Sequence, residues 1–115
     1  MAGEETPLVR RYGFAIQLKP ERAEEYLRLH EAVWPEVQAR MAASHIRNYT
    51  IFYFGGWLFN YYEYTGQHYE EDMAAIEADP ITQKWWALTM PCQQPVEGRQ
   101  PGEWWAKMDE VYHQD

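Results

Sequence analysis

Tyr26 and His30 stand four residues apart in a stretch with helical spacing, so their side chains share one face. Imidazole titrates near 6.5 when unperturbed, so His30 can take and return a proton close to neutrality. A tyrosine hydroxyl alongside can orient that ring or serve as a second proton-transfer group. The same spacing also suits a boundary histidine beside a core tyrosine, the commoner fate of an arbitrary histidine on such a helix. Trp85 and Trp86 form a second constellation. Neighbours on a helix diverge by about 100°, so one indole can enter the core while the other faces a pocket. With Gln83 and Lys84 beside them, they suit a sugar platform, since an aromatic face matches the C–H face of a pyranose and the indole N–H is a directional donor. Asn48-Tyr49 offers a similar pairing at the start of a strand, although such pairs are common in any sheet.

Metal chemistry is poorly supported. His30, His45, His68 and His113 are scattered, and His30-Glu31 lacks the second histidine of the zinc-protease helix motif. No Gly-rich phosphate loop or nucleophile elbow occurs. The expected chemistry therefore needs side chains alone, with no metal and no cofactor.

The elements that must position these residues follow from periodicity. Arg11–Leu18, with Tyr12, Phe14 and Ile16 alternating, is a first strand. From Glu21 to Met41 the apolar residues fall at helical spacing, and Pro35 imposes a kink or break near Trp34, because it lacks an N–H and disfavours a helical conformation in the residue before it. Ile46–Phe54 and Trp57–Tyr64 form a hairpin around Gly55-Gly56, which suits a two-residue primed turn. Nine of the sixteen residues from Tyr49 to Tyr64 are aromatic and occupy both faces, so one face takes the helices and the other needs a partner or ligand. Tyr69–Ala78 is a further helix, and Asp79-Pro80 starts another carrying Ile81, Trp85 and Leu88. Met90–Gly102 reads as a loop without regular structure, and Lys107–His113 as a last strand. The order βαββαβ predicts an α+β, ferredoxin-like fold: a four-stranded antiparallel sheet with helices on one face.

Composition sets the bounds. A chain of 115 residues, 46% apolar and 24% charged, suits one folded domain over 1–115, with residues 1–10 as a flexible tail. An aromatic share of 17% exceeds what one small core can hide, so a homodimer or a stacking surface is expected. The net charge of -8, without any basic run, argues against a nucleic-acid partner. Cys92, the single cysteine, excludes an intrachain disulfide. No apolar stretch approaches ~18 residues, so no membrane partner is expected, and the cytoplasm is the expected address.

In order and spacing, Tyr26 and His30 followed by Trp34-Pro35-Glu36, then Asn48-Tyr49, then Trp85-Trp86, resemble the L-rhamnose mutarotases. The likeness runs from about Arg11 to Trp86 and resumes at Glu110-Val111-Tyr112. It implies a homodimer of the dimeric α+β barrel type, with a monosaccharide held between sheet and helices. By position, His30 corresponds to the family's proton donor, with Tyr26 its catalytic helper. Tyr26, Tyr49, Trp85 and Trp86 correspond to its sugar-contacting residues. The activity implied is exchange between the α and β anomers of a free 6-deoxyhexose, by acid/base ring opening and reclosure. The chain departs from compact members at Met90–Pro101 and Trp104-Trp105, which leaves L-fucose open as the sugar. The same architecture also hosts cofactor-independent monooxygenases and haem-degrading proteins, and a non-catalytic sugar-binding module is the non-enzymatic alternative.

Overall fold

The structure is a computed structural model that describes residues 8–115. Strand β1 spans Arg10–Leu18 and is followed by helix α1, Ala23–Leu29, and helix α2, Pro35–Ala43. Strands β2, Ile46–Phe54, and β3, Trp57–Tyr64, then form the hairpin. Helices α3, Tyr69–Ala78, and α4, Pro80–Thr89, precede two short strands, β4 at Gln93–Gln94 and β5 at Ala106–Lys107. The sheet is antiparallel in the order β2-β3-β1-β4, with β5 also on β1. This is the ferredoxin-like α+β fold expected from the order of elements.

The hairpin turns as its glycines require: Gly55 and Gly56 have φ of +56° and +86°, the left-handed region that two-residue primed turns use. Along β3, Leu58, Asn60, Tyr62 and Tyr64 are buried and alternate with partly exposed residues, so one face packs on the helices. Ile46 and Ile51 on β2 are an odd number of residues apart, and simple alternation would put them on opposite faces. A bulge at Asn48-Tyr49, between the pairs Arg47↔Glu63 and Thr50↔Tyr61, adds one residue and restores both to the helix side. Asn48 accommodates it at φ +54°, a left-handed conformation that Asn tolerates better than most residues, and its Nδ2 donates to Glu63 Oε1 at 2.8 Å.

Two clusters fill the space under the helices. Ile16, Leu18, Tyr26, Leu58 and Cys92 form one, and Ile46, Tyr62 and Tyr64 the other. The opposite face carries Phe52 and Phe54, 61% and 80% exposed, next to the stacked pair Trp57 and Phe59.

Three expectations need correction. Lys107–His113 is not a strand: only Ala106–Lys107 pairs with β1, and Val111 is left 92% exposed. Met90–Gly102 is not wholly irregular, since Gln93–Gln94 pairs with Gln17 and Leu18. Both follow from one cause, the finite edge of β1, which two short segments share. Arg10, assigned to the flexible tail, opens β1, whereas the rest of that tail through Pro7 lies outside the described residues.

Candidate active site

The break in the first helical segment builds the site. Val33 and Trp34 adopt extended conformations with ψ of 136° and 131°, as a residue before proline prefers, and Pro35 becomes the first residue of α2. His30 caps the C-terminus of α1, where its main-chain N–H reaches the carbonyl of Tyr26. The Nδ1 of His30 lies 2.9 Å from the same oxygen. A carbonyl only accepts, so Nδ1 carries the hydrogen and Nε2 keeps a lone pair. Burial pulls the His30 pKa below its ordinary 6.5, against a smaller upward effect of that hydrogen bond, so the ring is mainly neutral at pH 7.

Two aromatic rings lie against it, and a third packs on one of them. The Tyr26 ring lies 4.2 Å from that of His30, and Trp85 meets His30 edge-on at 5.3 Å. Trp34 meets Trp85 at 5.2 Å. Trp85 is aimed by the start of α4, where the Asp79 carboxylate accepts from the Thr82 N–H at 2.9 Å and hydroxyl at 2.8 Å, with Pro80 at the first helical position.

Tyr26 is buried, and its hydroxyl accepts a long 3.4 Å hydrogen bond from Gln93 Nε2. Gln93 Oε1 in turn accepts from the Trp104 indole at 2.7 Å. Burial, reinforced by the nearby Tyr49 hydroxyl, pushes the Tyr26 pKa far up, so this phenol stays protonated and acts as a hydrogen-bonding group. Tyr49 lies over Tyr62, ring centres 5.9 Å apart, and accepts from Asn60 Nδ2 at 3.4 Å. The residue as a whole is 39% exposed, yet its hydroxyl end is sunk, and that burial pushes its pKa up to about 12.

Of the residues singled out in the sequence, Tyr26 and Trp85 therefore each lie against His30, and Tyr49 reaches the same region through its hydroxyl. Trp86 makes none of the ring contacts that Trp85 makes with His30 and Trp34. Sequence reasoning missed Trp34, Gln93, Trp104 and Asn60 as neighbours of the site. Asn60 left a usable signal, a polar residue on the inward face of an alternating strand. Gln93 and Trp104 lie in a segment whose sequence has no period to read. Among the described residues, no three His, Cys, Asp or Glu side chains converge as a metal site.

A family model described as L-rhamnose mutarotase matches residues 11–114. An L-rhamnose mutarotase of Sinorhizobium fredii is 37% identical over 79 residues, 67% of this chain and 73% of that protein. One from Oceanobacillus iheyensis is 29% identical over 109 residues, 93% of this chain and 100% of its own length. Among solved structures, an L-rhamnose mutarotase from Formosa agariphila superposes with a TM-score of 0.70 at 20% identity, covering 92% of this chain and 99% of its own; that likeness bears on the fold.

Proposed function

We propose that this chain, which belongs to the L-rhamnose mutarotase family, interconverts the α and β anomers of free L-rhamnose, with His30 as its proton-transfer residue. The observation that carries the reading is the neutral His30 ring, its Nδ1–H tied to the Tyr26 carbonyl and its Nε2 left basic among aromatic walls.

The chemistry follows from that tautomer. Nε2 takes the proton of the anomeric hydroxyl as the bond from C1 to the ring oxygen breaks, and the ring oxygen gains a proton from solvent. The open aldehyde turns about C1–C2. On closure the imidazolium returns its proton to the former aldehyde oxygen, while the ring oxygen releases one. Proton count is conserved, and general acid/base help of about 10² to 10⁴-fold suffices for a reaction that already proceeds slowly in water. Tyr26, protonated and held by Gln93, donates a hydrogen bond that orients the sugar. Tyr49, Trp85 and Trp86 supply the stacking and apolar walls, which welcome a C6 methyl group and favour a 6-deoxyhexose over its 6-hydroxy counterpart by about 10 to 200-fold.

The working form is a homodimer joined through the outer sheet face, where Phe52 and Phe54 are exposed beside Trp57 and Phe59. Its compartment is the cytoplasm, a reading supported by the free thiol of buried Cys92. No helix among the described residues is long and apolar enough to cross a membrane.

NMR saturation transfer between the anomeric protons of L-rhamnose tests the activity. Transfer should rise in proportion to protein concentration, and more for L-rhamnose than for L-fucose or L-mannose. Faster transfer for L-fucose would reassign the sugar, and transfer at the rate in water for every sugar would refute the activity.

A further inference from the structure

Two buried side-chain atoms among the described residues lack a hydrogen-bond partner, Arg40 Nε and Asn60 Oδ1. Arg40 uses another of its five donor hydrogens on Ser44, so its remaining nitrogen is one of several. Asn60 is different, because Oδ1 is the only acceptor its side chain has. The residue is 5% exposed and faces the helices from the middle of β3. Phe14 and Ile51 oppose it on the adjacent strands, and neither side chain carries a donor. Its neighbours along the strand are Leu58, also without a donor, and Tyr62, whose hydroxyl is paired with that of Tyr69. Its amide hydrogens are directed to the Tyr49 hydroxyl at 3.4 Å. An amide oxygen sealed from water with no donor is costly and needs an explanation.

The location supplies one. Asn60 holds Tyr49, the Tyr49 hydroxyl is near enough to Tyr26 to act on its ionisation, and the Tyr26 ring lies tilted against His30 at 4.2 Å. The orphaned acceptor thus lies one hydroxyl away from the proton-transfer pair. We propose that Asn60 Oδ1 accepts a hydrogen bond from one non-anomeric ring hydroxyl of the bound sugar, making Asn60 a specificity-determining residue. This rests on the mutarotase reading, in which His30 takes the anomeric end. Asn60 then reads a different hydroxyl, with Tyr49 fixed between the two. A sugar lacking that hydroxyl leaves the buried oxygen unpaired and is rejected.

The test is a binding cycle by calorimetry on the full chain, with L-rhamnose and its 2-deoxy, 3-deoxy and 4-deoxy forms as probes. The wild type should bind one of the three deoxy sugars about tenfold or more weakly than L-rhamnose. In Asn60→Leu, which also loses the bond to Tyr49, the difference in affinity between L-rhamnose and that one deoxy sugar should disappear, because the two deletions remove the same bond. Asn60→Ser, whose hydroxyl is too short to reach, should repeat the pattern if the leucine variant fails to fold by circular dichroism. Equal losses on all four sugars, no loss on any, or no binding of any by the wild type would overturn the assignment. Anomer exchange recorded on the same samples separates the two failures. L-rhamnose bound but not exchanged sinks the catalytic reading and leaves the Asn60 pattern readable, whereas exchange with Asn60-independent affinity sinks this inference alone.

Discussion

His30 Nδ1 and the main-chain N–H of the same residue converge on one atom, the carbonyl oxygen of Tyr26, with the ring nitrogen 2.9 Å away. The helix end thereby fixes both the place of the imidazole and the nitrogen that carries its hydrogen. A side chain that shuttles a single proton needs both.

The pH profile should show this. Burial holds the His30 pKa below 6.5, so the basic form persists as the solution becomes mildly acid. The enzyme-dependent exchange rate should fall as the solution is acidified with its midpoint below pH 6.5. Stability carries the same sign: the unfolded chain takes up this proton near 6.5, before the folded chain does. The contribution is therefore present above 6.5 and is lost as pH falls through the folded value. A rate profile with its midpoint at or above 6.5 would contradict the assignment.

Trp104 should matter for stability although it lies far from His30 in sequence. Its indole N–H satisfies Oε1 of Gln93, which is 4% exposed, and Gln93 in turn holds Tyr26. Trp104→Phe leaves that oxygen without its donor, at an expected cost of about 1–3 kcal/mol read from the urea midpoint. Combined with Tyr26→Phe the losses should fall short of additive, because both act on one chain of hydrogen bonds. An unchanged midpoint for Trp104→Phe would show that the contact contributes nothing.

Charging the outer sheet face should separate the protomers. Phe54, 80% exposed, lies beside Trp57 across the hairpin. In sedimentation at micromolar concentration the wild type is expected as a dimer of 13.8 kDa chains and Phe54→Glu as a monomer with the same circular dichroism. A monomeric wild type would remove the dimer from the account.

The Asn48-Tyr49 bulge should tolerate glycine and resist β-branched residues. Asn48 sits at φ +54°, so Asn48→Val is expected to destabilise by about 1–3 kcal/mol and Asn48→Gly by much less. Equal thermal midpoints for the two variants would argue against the bulge.

Local rules made much of this fold legible. Gly55-Gly56 fixes the hairpin, and Pro35 fixes both the break before it and the start of α2, because turn and helix-entry preferences act over two or three residues. Tyr26 and His30 share a helix face as their spacing suggested, whereas the approach of Trp85 to His30 was not readable from spacing. What escaped was decided over long distances. Met108, Glu110 and Tyr112 do alternate, but alternation makes a strand only where a partner edge is open, and β4 and β5 share the edge of β1. The link from Tyr26 through Gln93 to Trp104 joins residues 67 and 11 positions apart, beyond the reach of any periodicity.

The central claim is that His30 moves the proton, and His30→Ala tests it most directly. Saturation transfer on L-rhamnose, with protein whose circular dichroism and sedimentation match the wild type, should show the catalysed rate lowered by about 10² or more. Tyr26→Phe should cost less, and alanine at His45, His68 or His113 should leave the rate near that of the wild type. A folded His30→Ala protein that binds L-rhamnose and exchanges its anomers at the wild-type rate would contradict the account, and His30 would then be a boundary residue of the helix.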